Sequence, residues 1–271
     1  MPTITNPIKK IILYVYYKYC NIRFCMSSWL RHKTGYTRRY NDLKALKGKY
    51  EGKRCFVIAT GPSLKLDDVL MLKDEFTFGM NNICLLYDKT SWRPSILGIQ
   101  DTSVYERLES RLQDSSDNVW VSSFLADRYP SARQFKQYPI NHAYMLYNYL
   151  CTDKLSVKFS DNAFNVVYDA YSITFSLMQI AVYMGFKEIY LLGCDCNQTV
   201  GKQNHFMENG HVETSEKLAG SADRNIFSHT KIKEFCDVHG VKVFNATRGG
   251  NLEVYPRVML EDVLKDKSKS C

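Results

Sequence analysis

Short apolar runs alternate with amphipathic segments along most of this chain. The run 55–59 is rich in β-forming residues and lies between a charged residue and Thr-Gly-Pro, which predicts a buried strand. Similar runs predict further strands at 76–80, within 92–100, and at 119–124, 189–192 and 241–244. Apolar residues at helical spacing predict helices at 66–72, 104–108, 172–184, 223–239 and 261–264. Strands that alternate with helices predict an α/β fold with a Rossmann-like, doubly wound, mostly parallel sheet.

The same patterning divides the chain into three parts. Residues 1–50 are predicted to be a basic, aromatic helical arm, residues 51–265 the Rossmann-like domain, and residues 266–271 a charged tail. Within the domain, residues 125–170 lack clear periodicity and are rich in Tyr, Asn and Asp. Long irregular segments in compact domains are often functional, so this segment is predicted to be an irregular lid beside the sheet. A purely structural cover is the alternative.

Positive charge is concentrated in the arm. The net charge is +8, and residues 1–54 contain thirteen Lys and Arg residues against two acids, Asp42 and Glu51. The apolar run 11–17 is too short to span a bilayer. Aromatic residues flanked by basic ones predict a helix that lies on the inner-leaflet membrane surface through residues 9–33, and no nucleic-acid partner. Packing of the arm on its own domain, or on another subunit of a homo-oligomer, is the alternative.

The cysteines bear on the compartment. There are nine, an odd number at irregular spacings, and no convincing signal peptide precedes them. This pattern is typical of free thiols in a reducing cytoplasm. The sequence therefore predicts a cytoplasmic protein that is peripheral on the inner membrane.

The turn after the first predicted strand is the main candidate for ligand binding. It reads Thr60-Gly61-Pro62-Ser63, and a short amphipathic helix follows. Gly61 permits close backbone approach, Pro62 fixes φ, and Ser63 is expected to cap the helix. A strand, a glycine turn and a helix N-terminus form a corner that favours phosphate. A capped turn without any ligand is the alternative.

Polar residues follow five of the predicted strands, which strengthens the ligand hypothesis. They are Thr60 to Ser63, Asn81-Asn82, Asp101-Thr102, Asp195-Cys196-Asn197 and Asn245-Ala246-Thr247. In a doubly wound sheet the ligand lies at the carboxyl ends of the strands, so these residues are expected to converge on a small-molecule site. The chain has neither the Gly-x-Gly-x-x-Gly pattern of dinucleotide sites nor the Gly-Lys-Ser/Thr of a P-loop. Asparagines and hydroxyls suit a nucleotide bound through neutral hydrogen bonds.

Three motifs carry a resemblance to known families. They are Ala59-Thr-Gly-Pro-Ser-Leu-Lys65, Phe78-Gly-Met-Asn81 and Gly185-Phe-Lys-Glu-Ile-Tyr-Leu-Leu-Gly-Cys-Asp195. The chain resembles bacterial sialyltransferases of glycosyltransferase family 42 and, more closely, the 6-hydroxymethylpterin diphosphokinase MptE-like family, many members of which belong to surface-polysaccharide pathways. The stretch from Asn245 to Arg257 fits the same grouping. The resemblance covers roughly residues 52–264, with 110–165 poorly matched. It implies a variant of the GT-A-like fold seen in the family 42 sialyltransferases.

The resemblance also implies roles for individual residues. Thr60, Gly61, Pro62, Ser63 and Asn81 would contact the nucleotide of a cytidine-type donor. Asp101, followed by Thr102, takes the place of a donor-contacting asparagine, and Ser172 or Thr174 lies near the hydroxyl beneath the base. Asn197 stands where a phosphate-binding tyrosine is expected. The family's catalytic histidine aligns near Asp223.

The catalytic base is left open among several residues. A glycosyl transfer needs a base for the acceptor hydroxyl and a group that stabilises the leaving phosphate. His205, on the loop after the central strand, has a suitable intrinsic pKa. Asp223 is either the base or the N-cap of its helix, and Asp195 could orient the acceptor, bind a metal or brace the loops. Arg248 could neutralise a diphosphate.

The sequence does not define a set of ligands for a metal ion. Four residues are of the types that bind zinc, namely Cys194, Cys196, His205 and His211. The Cys-x-Cys spacing, however, is atypical of structural zinc sites. Asp195-Cys-Asn197 resembles a degraded Asp-x-Asp motif, so a divalent ion is compatible with the sequence without being required.

The function expected from these observations is glycosyl transfer. The chain would move a sugar from a nucleotide-sugar donor to a cell-surface polysaccharide or a lipid-linked glycan acceptor. One alternative is an ATP-dependent pterin-type diphosphokinase that uses magnesium. A noncatalytic scaffold of a polysaccharide assembly complex is the other.

Overall fold

The computed structural model describes residues 4–35, 37–113, 118–152, 154–197, 205–207 and 220–266. Its strands are β1 (Arg54–Ile58), β2 (Thr77–Met80), β3 (Ile96–Ile99), β4 (Val119–Ser122), β5 (Lys136–Tyr138), β6 (Ile140–Asn141), β7 (Val167–Tyr168), β8 (Glu188–Leu192) and β9 (Lys242–Asn245). Seven of them form one sheet in the order β5-β4-β3-β2-β1-β8-β9, and every neighbouring pair is parallel. The remaining two, β6 and β7, form a separate parallel ladder.

Helices cover both faces of the sheet. The α-helices in the described part of the chain are α1 (Pro7–Thr34), α2 (Asn41–Lys44), α3 (Leu66–Met71), α4 (Thr102–Gln113), α5 (Ser123–Arg128), α6 (Ala143–Tyr147), α7 (Ile173–Tyr183), α8 (Ser221–Val238) and α9 (Leu260–Asp266). The same residues also include 3₁₀ helices at Asn81–Asp88 and Pro130–Gln134 and a π-helical turn at Asn148–Thr152. Buried residues of α2, α7 and α8 belong to one core, and those of α3, α4, α5 and α9 to the other. A parallel sheet has to be buried on both faces, and this arrangement achieves it. The predicted Rossmann-like, doubly wound fold is confirmed.

The strands are apolar throughout because each side chain enters one of the two cores. Along β1, Cys55 and Val57 enter one core, while Phe56 and Ile58 enter the other. On the second face, the rings of Phe56, Tyr190 and Phe244 stack across three neighbouring strands, with centroids 5.2 and 5.1 Å apart. These rings are paired in register, so the centre of the sheet is a rigid support for the loops at its carboxyl edge.

Residues 119–170 differ from their predicted structure. The strand expected over 119–124 ends at Ser122, whose Oγ accepts a hydrogen bond from the Leu125 amide and caps α5. Within the expected lid 125–170, Lys136–Tyr138 is the edge strand of the main sheet. Edge strand β5 has three residues and no apolar run, so the patterning gave no signal for it. The segment is therefore partly sheet and partly a cover built from β6, α6 and β7.

The arm is a single long helix that contacts the body. Asn6 caps its first turn by accepting hydrogen bonds from two backbone amides, and Gly35 ends it with φ of +61°. Tyr17 stacks on Tyr147 of α6 at 5.1 Å, and the buried Arg31 donates to the Asn165 carbonyl at 2.8 Å. Apolar side chains nevertheless remain exposed along the helix, among them Ile8, Ile11, Ile12, Val15, Tyr16, Tyr19, Ile22, Met26, Trp29 and Leu30. Among the described residues, the structure contains no helix with the length and apolar character needed to cross a bilayer.

Candidate functional site

A cavity of about 670 Å³ opens at the carboxyl edge of the sheet. The residues that follow β1, β2, β3 and β8 line it. The order of strands reverses at β1, which has β2 on one side and β8 on the other. Ligands of open α/β sheets bind in the crevice at such a switch point, and the volume lies in the usual range of small-molecule pockets.

Most of the residues predicted from the sequence lie around this cavity. Those that line it are Thr60, Gly61, Asn81, Asp101, Thr102, Ser172, Thr174, Asp195, Asn197 and His205. Pro62, Ser63, Asp223 and Arg248 do not line it. The structure thus brings the loops after β1, β2, β3 and β8 together with the start of α7. The fifth expected strand end, Asn245-Ala246-Thr247 at the end of β9, does not line the cavity.

Gly61 and Asp195 form the closest junction in the wall. The Gly61 amide donates to the Gly193 carbonyl at 2.9 Å. A β-carbon at Gly61 would lie 2.5 Å from that carbonyl oxygen and closer still to Asp195 Oδ2, so only glycine fits. The nearby Ser63 does not cap α3 as expected, because its hydroxyl donates to Asp195 Oδ2 at 2.8 Å.

Asp195 braces this wall from the other side. Its side chain is buried, and burial raises the pKa of its carboxyl group, an effect that the hydrogen bond from Ser63 opposes. Its carbonyl oxygen accepts from the Asn251 amide at 2.7 Å, which ties the loop after β9 to the loop after β8. Of the three roles considered for Asp195, these contacts support the bracing of the loops.

Asn81 presents an unsatisfied acceptor at the cavity. It follows β2 directly and has φ of +49°, a left-handed conformation that asparagine tolerates better than most residues. Its Oδ1 is buried and has no hydrogen-bond partner among the described residues. The side chain of the next residue, Asn82, accepts from Arg107 at 3.1 Å. Since buried polar atoms are almost always paired, the Asn81 oxygen marks a position for a donor group of a ligand.

Two helices begin at the cavity. Asp101 caps α4, because its Oδ1 accepts from the amides of Ser103 and Val104 at 2.8 and 3.2 Å. Ser172 caps α7 by accepting from the Thr174 amide at 3.3 Å. The positive ends of both helix dipoles therefore face the same space. Asp101 already places a carboxylate at the end of α4, so the end of α7, which is capped by a neutral hydroxyl, is the one that favours a negatively charged ligand.

The structure also reveals polar residues that the patterning did not identify. Asp169 and His142 line the cavity and form a hydrogen bond between His142 Nδ1 and Asp169 Oδ2. Asp169 Oδ1 accepts from Gln100 Nε2 at 2.6 Å, and Gln100 Oε1 accepts from the Tyr138 hydroxyl at 3.1 Å. Gln100 directly follows the observed strand β3 and, with that boundary, meets the strand-end criterion. His142 and Asp169 meet only through the ladder of β6 and β7, whose strands are each two residues long.

His229 is a second histidine that the sequence did not indicate. It is 4% exposed and lines the cavity, and its Nδ1 lies 3.1 Å from the Tyr255 hydroxyl. Burial lowers the pKa of His229 to about 4, so this imidazole is neutral at physiological pH.

The remaining predicted residues have different surroundings. Thr60 Oγ1 is 3.3 Å from His205 Nδ1, so His205 lies beside the glycine turn. Asp223 does not line the cavity, and it is not the N-cap expected of it, because it lies in the first turn of α8 and the N-cap is Gly220. Arg248 also lies outside the cavity, where it forms ion pairs with Asp68 and Glu261. His211 is outside the described residues.

The cysteines near the site are buried thiols. Burial raises the pKa of Cys194 well above its usual value and that of Cys196 to about 12, so both are protonated at neutral pH. The eight cysteines in the described part of the chain are free. Within the same residues, no group of three or more His, Cys, Asp or Glu side chains is arranged to hold a metal ion.

Comparisons with known proteins place the chain in a family. The model of the 6-hydroxymethylpterin diphosphokinase MptE-like family matches residues 30–201, well over half of the chain. Among solved structures, the chain is similar to the MAf glycosyltransferase from Magnetospirillum magneticum AMB-1, with a TM-score of 0.48 and 14% identity, over 83% of this chain and 38% of that one. It is also similar to the sialyltransferase CstII from Campylobacter jejuni, solved with the substrate analogue cytidine-5'-monophosphate. That likeness has a TM-score of 0.45 and 12% identity, over 77% of this chain and 85% of that one.

The chain spans less than half the length of the first of these structures. No curated protein matches the sequence. From the match of the family model, the chain belongs to the 6-hydroxymethylpterin diphosphokinase MptE-like family.

Proposed function

We propose that this protein is a glycosyltransferase that takes a sugar from a nucleotide-sugar donor and transfers it to a glycan or lipid-linked glycan acceptor. The observation that carries the proposal is the cavity at the switch point between β1 and β8, where two helix N-termini and a close-packed glycine turn meet. Helix N-termini favour phosphate groups, and the cavity is large enough for a nucleoside with its phosphates.

The lining supports a nucleotide more than a simple anion. It combines the hydroxyl groups of Thr60, Ser172 and Thr174 with the unpaired oxygen of Asn81. Neutral donors and acceptors of this kind suit a base and a ribose, while the helix ends suit the phosphates. A bound nucleotide would give the Asn81 oxygen the donor that it lacks, which removes the cost of a buried unpaired acceptor.

The arm supports an acceptor at a membrane surface. Helix α1 contains no Asp or Glu, has basic residues along its length and exposes a row of apolar side chains. A helix with this composition is suited to lie in the headgroup region of an anionic leaflet. In this proposal the protein is peripheral on the cytoplasmic side of the inner membrane, where lipid-linked glycan precursors would be within its reach.

The family description favours a second candidate function, an ATP-dependent pterin-type diphosphokinase. Such an enzyme would bind ATP with magnesium, while a glycosyltransferase would bind a nucleotide sugar. A divalent ion is compatible with either reaction. A noncatalytic scaffold, the third candidate, would bind no nucleotide at this cavity.

Thermal unfolding and donor hydrolysis with one nucleotide panel distinguish these functions. The panel consists of CMP-N-acetylneuraminic acid, UDP-glucose, UDP-N-acetylglucosamine, GDP-mannose and ATP, each with and without magnesium. We expect one sugar nucleotide to raise the Tm and to be hydrolysed slowly. At a concentration about 100 times its Kd, a ligand of the folded state adds about 2.7 kcal/mol of stability.

The variant Gly61→Ala tests whether binding occurs in this cavity. Its new methyl group would collide with the Gly193 carbonyl and the Asp195 carboxylate, so we expect the nucleotide-induced rise in Tm to be lost. Gly48→Ala is the control: its φ of +63° strains alanine and lowers the Tm, but the residue lies outside the cavity and a β-carbon there meets no atom within 4 Å, so the nucleotide-induced rise in Tm should remain. A rise with ATP and magnesium alone would support the diphosphokinase, and no response from folded protein to any nucleotide would support the scaffold.

A further inference from the structure

We propose that His142 is the catalytic base that removes the proton from the acceptor hydroxyl, and that Asp169 is its positioning residue. This inference rests on the proposed glycosyl transfer and assigns a residue that the sequence motifs did not indicate. Both side chains lie in the cavity described above, on the side formed by the cover and not on the side of the glycine turn.

The short ladder of β6 and β7 places the two residues side by side. Its paired residues are Ile140 with Val167 and Asn141 with Tyr168, so His142 and Asp169 are the next pair along the two strands. The Asp169 amide donates to the Asn141 carbonyl at 3.2 Å, which extends the ladder toward the cavity. Their contact is therefore fixed by backbone pairing and does not depend on flexible side chains alone.

The hydrogen bonds around Asp169 determine which ring nitrogen of His142 carries the proton. The Tyr138 hydroxyl donates to Gln100 Oε1, which orients the Gln100 amide so that its Nε2 donates to Asp169 Oδ1. Burial raises the pKa of the Tyr138 phenol well above its usual value, so this hydroxyl stays protonated and can donate. Asp169 acts as an acceptor, and His142 Nδ1–H donates to its other oxygen. In the neutral imidazole, Nε2 then carries the lone pair that a general base needs.

His142 Nε2 is buried and has no hydrogen-bond partner among the described residues. The imidazole as a whole is 20% exposed, and the edge-on ring of Phe124 lies 4.6 Å away at the rim. A buried ring nitrogen without a partner, in a cavity with an unpaired Asn81 oxygen, indicates that a ligand supplies the missing group. An acceptor hydroxyl is such a group, because it can donate to Nε2.

The other histidines of the cavity are less suited to this role. Burial lowers the pKa of His229 to about 4, which makes it too weak a base near neutral pH. His205 Nδ1 already lies 3.3 Å from Thr60 Oγ1, whereas His142 Nε2 has no partner among the described residues. His142, by contrast, is in direct contact with a carboxylate, that of Asp169.

The proposed step is a displacement at the anomeric carbon. The acceptor O–H bond breaks, its proton moves to His142 Nε2, and the oxygen electron pair forms the new bond to the anomeric carbon. The bond between that carbon and the donor phosphate oxygen breaks, and its electron pair leaves with the nucleotide. The imidazolium formed is stabilised by the Asp169 carboxylate. Hydrolysis is the same step with water as the acceptor.

Steady-state hydrolysis of the most active sugar nucleotide in the panel tests this assignment. For His142→Ala we expect kcat to fall by about 100-fold to 10,000-fold with little change in KM, and free imidazole to restore part of the rate. The nucleotide-induced rise in Tm should remain, which shows that the cavity is intact. His239→Ala is the matched control, because His239 is exposed and lies outside the cavity.

Asp169→Asn tests the positioning role. An amide can donate to Nδ1 and thereby move the imidazole proton to Nε2, so we expect kcat to fall and KM to stay similar. The double variant His142→Ala/Asp169→Asn should be no slower than His142→Ala, since Asp169 acts through the histidine. Two losses that multiply would overturn the positioning role.

The remaining outcomes separate this inference from the function it rests on. If wild-type protein hydrolyses a donor and His142→Ala is equally fast, the inference is overturned while the proposed function stands. The same conclusion follows if His205→Ala abolishes turnover and imidazole does not rescue His142→Ala. Failure of wild-type protein to hydrolyse any donor overturns the proposed function and the inference together.

Discussion

His229 shows how one buried residue couples the site to the stability of the fold. Its pKa is about 4 in the folded protein because the imidazole is desolvated, against an ordinary value of 6.5. Between these values the unfolded chain binds a proton that the folded protein does not bind. The contribution of a neutral His229 to stability is therefore fully present above pH 6.5 and is lost as the pH falls toward 4.

We predict that His229→Asn removes this part of the acid sensitivity. Wild-type protein should lose about 3 kcal/mol of unfolding free energy from this group between pH 7 and pH 4, and the variant should not. Urea denaturation at several pH values measures the difference. His239→Asn, at the exposed end of the same helix, is the control and should retain the wild-type slope. Equal slopes for wild type and His229→Asn would contradict the prediction.

The residues that could be predicted from the sequence are those whose signal is local. Gly61 follows an apolar strand and precedes a helix, and Asn81 ends the next strand, so the neighbouring residues suffice to place both at the carboxyl edge. His142 and Asp169 have no such context, since their contact depends on pairing between segments 27 residues apart. For Arg248 the local sequence did give a signal, but that signal did not reveal the residue's tertiary partners. Its position after a strand suggested a phosphate contact, but Asp68 and Glu261 already neutralise it.

At the scale of elements, the length of a strand decided whether the pattern of apolar residues predicted it. Strands β1, β2, β3, β4, β8 and β9 each have four or five residues, are mostly apolar, and were all anticipated. Strand β5 has three residues and a charged first residue, and it forms by pairing with β4 at the edge of the sheet. Such a strand is specified by its tertiary neighbours and not by its own sequence.

Helix α1 is the element whose composition was predicted to match a membrane surface, and its exposed face allows a direct test. Ile12 and Val15 are 60% and 61% exposed. We predict that Ile12→Glu/Val15→Glu weakens binding to vesicles of phosphatidylglycerol and phosphatidylcholine by about 10-fold or more. The change removes two apolar side chains from the interface and adds charges that the anionic leaflet repels. Vesicle sedimentation measures the partition.

The control replaces apolar residues of comparable exposure elsewhere. Val238 ends α8 and is 81% exposed, and Met259 just precedes α9 and is 59% exposed. Val238→Glu/Met259→Glu adds the same charge, so it should bind vesicles as wild type does if α1 is the contact surface. Equal weakening in both variants would indicate a response to net charge, and no weakening in either would remove the membrane role of α1.

At the scale of the whole molecule, the two edges of the main sheet differ. One edge is tied together by backbone hydrogen bonds, and the other carries the candidate site. At the amino edge of the sheet, the turns around residue 50 are tied to the end of α7, as in the hydrogen bond from the Tyr50 amide to the Met184 carbonyl at 2.8 Å. At the carboxyl edge, the loops after β1, β2 and β8 contain Gly61, Asn81 and Cys196, with two non-glycine residues in left-handed conformations. Conformations of this kind persist where the surroundings fix them, and they are frequent at functional sites.

This difference between the two edges of the sheet predicts where a nucleotide will change backbone dynamics. We expect the best nucleotide of the panel to slow hydrogen exchange in peptides covering 59–64, 78–84 and 193–197, by up to about 100-fold at 100 times its Kd. Peptides covering 48–53 and 239–243, at the opposite edge, are the internal control and should exchange at the same rate with and without nucleotide. Protection restricted to the groove between α1 and the β6–β7 ladder, which is lined by Lys18, Trp29, Tyr144 and Lys158, would place the nucleotide in a second site. In that case the glycine turn would be a structural junction, and the chemistry assigned to His142 would have no donor beside it.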